Sequence, residues 1–464
     1  MIFNSLVFLQ FALVFFALWP LVRPHEKLRY PFLIIASCLF YGYGGWWFVP
    51  ILLATATLDF WFAQQIYEKP EKKKTFLIAS LVSNLSVLSL FKYVGFFAES
   101  INAVFGRPEM LPVIHLILPI GISFYTFQSL SYIFDVYKGE IKPARSIWHF
   151  LSIVTLFPHL VAGPIVRVAH ILPQIEICPK ATKAQIWDGI HLVVRGLFRK
   201  MVLADNLAPF VDKVYGGEFG SSGTMYVLAT IAFSFQIYFD FSGYTDTARG
   251  LAKWLGLEFS LNFNHPYSAI GIRDFWSRWH ISLSHWIRDY VYIPLGGSKN
   301  GELQTHRNNW ISMIASGLWH GANWTFVVWG ALHAFYISLE RITRWPERLS
   351  KNPIGQFVGV LITFALATLG WVFFRANNIP EALQVLGTMA TARPSELSMI
   401  KDIDSKALLA LAVSVFLEGL YIVQRYYVKA MKLPWVLQSA GSAAMLLACI
   451  YLQGPGKAFI YFQF

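Results

Sequence analysis

Long apolar stretches without a single Asp, Glu, Lys or Arg recur along this 464-residue chain. Met1–Val22 is the first. Tyr30–Leu58, Thr75–Phe91, Met110–Phe134, Ser146–Val166, Phe219–Phe239, Asn308–Leu339, Ile354–Phe374, Ala407–Leu417 and Leu433–Gly456 follow. About 20 apolar residues cross a bilayer as a helix, so a chain built this way folds inside a membrane. The composition agrees: 56% of residues are hydrophobic and 14% charged, with a mean hydropathy of +0.48. A soluble chain carries about 25% charged residues, and 14% cannot clothe a soluble surface of this size. Intrinsic disorder is excluded on the same ground. Outer-membrane barrels alternate in short segments and do not carry such long runs.

The 38 Lys and Arg exceed the 26 Asp and Glu, giving +12. In a membrane protein this excess reads as basic residues kept on cytoplasmic loops, not as a nucleic-acid surface. The three cysteines, Cys38, Cys178 and Cys449, show no paired spacing, so neither a disulfide framework nor a zinc cluster is expected. Met1–Val22 lacks a basic leader and a small-residue cleavage site, and is expected to be a retained first span.

Loop charges set the orientation. Arg23, Lys27 and Arg29 follow the first run, and the turn 42–50 has no basic residue. Lys69, Lys72, Lys73 and Lys74 mark the next loop, Arg107 alone the one after, and Lys138, Lys142 and Arg145 the third basic loop. Basic loops face the cytoplasm, so the N-terminus is expected outside. Arg341, Arg344, Arg348 and Lys351 mark a further inner loop, and Arg425, Lys429 and Lys432 another, which leaves the C-terminal tail outside. Tyr30–Leu58 is too long for one crossing, and Gly42-Tyr43-Gly44-Gly45 is expected to break it.

One polytopic domain is expected: spans in 1–145, a catalytic core in 146–340, and spans plus an outer tail in 341–464. The core carries Pro158, Pro164, Pro209, Pro266 and Pro294 and polar residues throughout. Irregular backbone survives at membrane depth only around protein or a wet cavity, so re-entrant or half-membrane helices around an internal site are expected there. Phe275–Tyr292, read at about 100° per residue, forms an amphipathic helix with Phe275, Trp279, Leu283, Trp286 and Tyr290 on one face.

Within the core, His320 lies near the middle of Asn308–Leu339, 32 residues without a charge. A titratable group in apolar surroundings is costly and marks a functional site. Burial keeps a histidine neutral, as a general base requires. A histidine bonded between helices is the competing reading, for His320, His280 and His333 alike. No His-Glu-x-x-His and no Gly-x-Ser-x-Gly occurs, so metal and serine-hydrolase chemistry lack support. Asp59, Lys92, Asp135 and Glu418, in or near apolar runs, are expected to pair between helices or to snorkel.

Several stretches together resemble one family. They are Leu118–Gln128, Pro158–Arg167, Asp240-Phe241-Ser242-Gly243-Tyr244, Asn264-His265-Pro266-Tyr267, Asp274–Ser284, Tyr292–Gly297 and Leu318–Gly330, the last holding Trp319-His320-Gly321. The chain resembles the membrane-bound O-acyltransferases, in the bacterial branch that includes alginate and peptidoglycan O-acetyltransferase membrane subunits. Ser277 departs from the pattern, standing where a second Arg is expected.

The resemblance implies an all-α membrane fold: a ring of about 10–12 tilted transmembrane helices with half-membrane helices around a central tunnel. It makes His320 the catalytic residue and His280 the second signature position. Asp240, Ser242, Tyr244, Arg278, Trp319, Asn323 and His333 become candidates for lining the donor tunnel. It implies acetyl-CoA as donor substrate with no bound cofactor or metal, a polysaccharide acceptor, a periplasmic partner resembling an SGNH hydrolase, and the bacterial inner membrane as location. The tail Ala458-Phe459-Ile460-Tyr461-Phe462-Gln463-Phe464 resembles an aromatic-tyrosine tail of this branch and of a small partner of the related D-alanine exporter. Tyr461 is therefore the candidate acyl relay, an aromatic interfacial anchor being the other reading. D-alanyl transfer to teichoic acid, and a transporter without chemistry of its own, are the rival functions.

Overall fold

The computed structural model describes residues 1–107, 110–114, 116–427 and 434–462, and among them every regular element is helical. Four helices are long and apolar enough to cross a membrane: Pro70–Lys92, Gly223–Trp254, Pro353–Arg375 and Ser405–Tyr426. Leu6–Val22, Val94–Phe105 and Trp435–Tyr451 are apolar but shorter. The inner-loop residues Lys429 and Lys432 and the last tail residues, Gln463 and Phe464, lie outside the described residues.

Helix ends follow local chemistry. Ser5 caps Leu6–Val22 by accepting the Phe8 N–H, and Asn352 caps the Pro353 helix by accepting from Gly355. The Tyr30–Leu58 run divides as expected, into Glu26–Gly42 and Phe48–Glu68, with Gly45 at φ 154° between them. Asn308–Leu339 is also two helices, Glu302–His320 and Trp324–Thr343, broken at Gly321–Asn323. Asn323 caps the second by accepting from Thr325 N at 2.9 Å.

The expected Phe275–Tyr292 helix is not continuous. Ile272–Trp276, Ile281–Ile287 and a π-helical Arg288–Tyr292 replace it. The break falls at His280, whose φ is 42°. A left-handed residue cannot continue a right-handed helix. The neighbouring strand of backbone takes up the freed groups: Asn264 N–H donates to Arg278 O at 2.9 Å and Ile281 N–H to Asn262 O at 2.9 Å.

The chain gathers into two compact units, Met1–Val193 with Thr245–Ser260, and Val194–Tyr244 with Leu261–Phe464. In the first, Asp59 on Phe48–Glu68 accepts from Ser80 at 2.9 Å and Asn84 at 2.6 Å on the Lys73–Lys92 helix. The expected interhelical pairing accounts for that carboxylate. His159 also belongs here, 3.2 Å from Gln128 Oε1 and edge-on to Phe259. The second unit holds Glu302–His320 and Trp324–Thr343, packed at glycines. A Cβ on Gly317 would sit 2.2 Å from Phe326 O, and one on Gly330 would sit 2.4 Å from Met313 O.

Candidate active site

His320 ends its helix, 3% exposed, in a cage of rings within the second unit. Trp319, Trp329, Phe374 and Tyr461 lie 5.0, 5.1, 5.2 and 5.5 Å from it between ring centroids. His280 is 6.4 Å away and fully buried. Its turned backbone seats the ring edge-on against Phe241 at 4.7 Å, with Nδ1 3.3 Å from Asn262 Oδ1. Asn262 Oδ1 also accepts from Ser282 N and Oγ, at 3.1 and 2.9 Å, so the amide is fixed by several groups. His280, His320 and Tyr461, far apart in sequence, share one aromatic chamber, and Phe241 touches Tyr461 at 4.5 Å as well.

The tail reaches this chamber by a chain of backbone contacts. Gly454 N–H donates to Met201 O at 2.8 Å, and Asn206 Nδ2 donates to Leu452 O at 2.8 Å. A Cβ on Gly454 would lie 2.5 Å from the Asp205 carbonyl carbon, so only glycine lets the tail pass this close. Lys200 Nζ donates to Lys457 O at 3.0 Å. The Ile460 N–H donates to Asp240 Oδ2 at 2.6 Å in a buried setting.

Asp240 and Lys200 form an ion pair at 2.7 Å, and Asp205 approaches the same ammonium at 2.8 Å. Two local features bring them together. Lys200 lies on the π-helical turn Phe198–Ala204, the kind of bulge that collects at functional sites. Gly243, one turn beyond Asp240, allows that turn to close in: a Cβ there would meet Gly196 O at 2.6 Å and Lys200 N at 3.1 Å. Asp212 completes the cluster with Arg375 at 3.1 Å and Lys457 at 2.9 Å. Three cations and three carboxylates balance, with Lys200, Asp205 and Asp240 largely buried and Asp212 and Lys457 half-exposed at the cluster's edge. Lys200, Asn206 and Asp212 were not singled out from sequence. Their signal is a polar residue on a stretch packed against helices, legible only once the partner carbonyls are known.

Two cavities flank the chamber, at opposite ends of the Glu302–His320 helix. One, of about 350 Å³, is mainly polar and is lined by Asp240, Gln236, Gly321, Asn323, Thr325, Lys457 and Ile460. The other, of about 340 Å³, has an apolar interior lined by Trp276, Ser312, Ser316 and Ser338, and Arg273, Arg288 and Arg341 border it, each paired with a carboxylate, Glu340, Asp289 and Glu302 in turn. Trp276 Nε1 and Ser338 Oγ are buried there without a hydrogen-bond partner. Arg341, Arg344 and the loop that follows mark the second cavity as the cytoplasmic one on the charge count above.

The remaining sequence candidates sort by position. Trp319 touches both histidines, at 5.7 Å from His280 and 5.0 Å from His320. Ser242 is buried, and Tyr244 packs on Phe459 at 5.2 Å. Asn323 donates to Asn377 O at 2.8 Å at the mouth of the polar cavity. His333 is fully buried behind Trp329, whose ring touches it at 4.8 Å and His320 at 5.1 Å. Arg278 is turned to other work: it pairs with Asp274 at 2.7 Å and donates to Asn264 O at 3.2 Å.

A buried histidine pair and a tyrosine on an anchored tail thus meet in one aromatic chamber. Residues 142–379 match the family described as MBOAT, membrane-bound O-acyltransferase, and the chain belongs to that family. It is an O-acyltransferase, and the transporter reading falls away. The "probable alginate O-acetylase AlgI" of Pseudomonas aeruginosa is 39% identical over 84% of this chain and 75% of its own length. The peptidoglycan O-acetyltransferase of Helicobacter pylori is 36% identical over 77% of this chain and 73% of its own. The teichoic acid D-alanyltransferase of Bacillus subtilis is 26% identical over 57% of this chain and 70% of its own.

Proposed function

We propose that this acyltransferase takes an acetyl group from cytoplasmic acetyl-CoA and delivers it, through Tyr461, to the outside of a bacterial inner membrane for O-acetylation of a cell-surface polysaccharide. The observation that carries this reading is the 5.5 Å approach of the Tyr461 ring to His320 between two cavities. The apolar interior of the inner cavity suits the acylated thiol end of such a donor. The acetyl cargo is that of the O-acetylating relatives at 39% and 36% identity, against 26% for a D-alanyl enzyme.

The chemistry runs in two balanced steps. Tyr461 Oη attacks the thioester carbonyl carbon as His320 takes the phenolic proton. The tetrahedral oxyanion collapses with cleavage of the C–S bond, and the departing thiolate regains the proton from His320, while His280 orients the donor. An acceptor hydroxyl, of a partner resembling an SGNH hydrolase or of the polymer itself, then attacks the acetyl-tyrosine ester. His320 takes that proton and returns it to the tyrosinate. A base so placed contributes about 10²–10⁴ in rate.

Purified protein incubated with acetyl-CoA and no acceptor is expected to carry an acetyl group on Tyr461, seen by mass spectrometry of the tryptic C-terminal peptide. Unmodified Tyr461 under those conditions, with full transfer activity in Tyr461→Phe, overturns the relay.

A further inference from the structure

Nothing in the relay chemistry itself explains why the tail is held by ionic groups away from Tyr461. The tail is short and leaves the Trp435–Tyr451 helix through Gly454, Pro455 and Gly456, residues that impose no helix of their own. An unanchored tail of this kind samples many conformations, and few of them bring Tyr461 to the histidines. The restraint comes from the second unit's own helices.

We infer that Asp240 and Lys200 are positioning residues of the transfer reaction: together they grip the tail backbone at Ile460 and Lys457 and so hold the Tyr461 hydroxyl where His320 can take its proton. This rests on the relay reading above. The geometry is specific to that task. Asp240 accepts the Ile460 N–H, one residue before Tyr461, at 2.6 Å. Lys200 donates to the Lys457 carbonyl, four residues before Tyr461, at 3.0 Å. Both contacts are to backbone, so they fix the path of the chain whatever side chain stands at 460. The Lys200–Asp240 ion pair, 2.7 Å long with its side chains 14% and 4% exposed, locks each gripping group against the other. A buried ion pair costs desolvation unless its remaining donors and acceptors are used. Here the tail uses them: the Ile460 N–H fills the second carboxylate oxygen and the Lys457 carbonyl takes an ammonium proton.

The tail path also forms a wall of the polar cavity, through Lys457, Ala458 and Ile460. Gripping Asp240 and Lys200 therefore shapes the outer cavity and sets the tyrosine in one act. Letting go would do the reverse, freeing the tail and opening the cavity.

The test uses the full-length protein in detergent or nanodiscs, with trypsin cleavage at Lys457 as the readout of docking and steady-state acetyl transfer as the readout of function. Asp240→Leu removes the acceptor from the core side. Ile460→Pro removes the N–H from the tail side, at the first residue of the 3₁₀ turn Ile460–Phe462, and leaves Asp240 in place. Ile460→Val keeps the N–H. Asp240→Leu and Ile460→Pro are each expected to speed cleavage at Lys457 and to lower kcat by about tenfold or more, the scale of one lost charged hydrogen bond. KM for acetyl-CoA is expected to stay within about twofold, because the donor cavity is untouched. Ile460→Val is expected to match wild type in both readouts. A purely structural Asp240 would not be mimicked by Ile460→Pro. Protection of Lys457 in both disrupting variants, or a released tail with unchanged kcat, overturns the inference. Tyr461→Phe reports on the relay alone: a protected tail with full activity refutes the relay and leaves the grip standing.

Discussion

At the scale of single residues, His320 and Arg278 show how position separates chemistry from support. His320 is enclosed by three aromatic rings and by Tyr461, with no charged side chain among those ring neighbours. His320→Ala, and the closer-sized His320→Gln, are expected to lower transfer about 10²–10⁴-fold while the protein still inserts and elutes as wild type. Near-normal acetyl transfer by the folded His320→Gln protein refutes the assignment. Arg278 belongs to a polar knot: Asp274 bridges it, at 2.7 Å, and Arg425, at 3.2 Å. Arg278→Ala is expected to cost about 1–3 kcal/mol of stability, the range for a charged hydrogen bond broken in a part-buried site. Activity per folded molecule is expected to hold. Thermal unfolding beside kcat decides it, and a kcat loss without a fall in Tm places Arg278 in the reaction instead.

At the scale of elements, the site rests on a helical hairpin and on a break. Glu302–His320 and Trp324–Thr343 touch backbone to backbone where Gly317 faces Phe326 and Gly330 faces Met313. Gly321 is as tight, since a Cβ there would sit 2.1 Å from the Phe326 ring, and that ring leans on Phe374 at 4.9 Å beside His320. Overpacking of this kind costs about 1–3 kcal/mol. Gly317→Ala and Gly330→Ala are therefore expected to lower Tm, and Gly321→Ala to lower kcat as well by displacing Phe326 and Phe374. Wild-type Tm in Gly317→Ala shows that the two helices separate freely and removes the argument. The sequence marked Trp319-His320-Gly321 near the middle of one apolar run, Asn308–Leu339, but the division of that run into two helices was not read from it. Nor was the break at His280. A left-handed histidine costs about 1–2 kcal/mol locally, and what sustains it is the Asn262 amide and the Ile281–Asn262 backbone bond, contacts made across 18 and 19 residues of sequence. The tail contacts were further from sight still. Asp240 and Ile460 are 220 residues apart, and neither side of that bond carries a local pattern.

At the scale of the molecule, two-sided chemistry needs a fixed orientation, and the charge pattern and the helices agree on one. Pro353–Arg375 follows the basic loop at 341–351 and ends beside Asn377 at the polar cavity, so the polar cavity and the tail that lines it lie opposite the basic loop. Ser405–Tyr426 returns to Arg425, and the shorter apolar helix Trp435–Tyr451 leads to the tail. On the proposed orientation, with the basic loops inside, the cavity bordered by Arg273, Arg288 and Arg341 faces the cytoplasm and the tail with Tyr461 faces the outside. Cysteine labelling tests this directly. Cys178 and Cys449 are buried and Cys38 half-buried, so a Cys38→Ala background is nearly silent. Ser350 and Ser395 are both exposed, one in the basic loop and one in the 376–404 connection. In intact cells a membrane-impermeant maleimide is expected to label Ser395→Cys and to spare Ser350→Cys until the membrane is opened. The reverse pattern would put the basic cavity outside, away from any cytoplasmic thioester, and would require the acyl group to travel inward; equal labelling of both positions would mean that the chain does not hold a single orientation. Either result would break the link between the charge asymmetry of the loops and the direction of transfer, since the relay needs its donor and its tyrosine tail to enter from opposite faces.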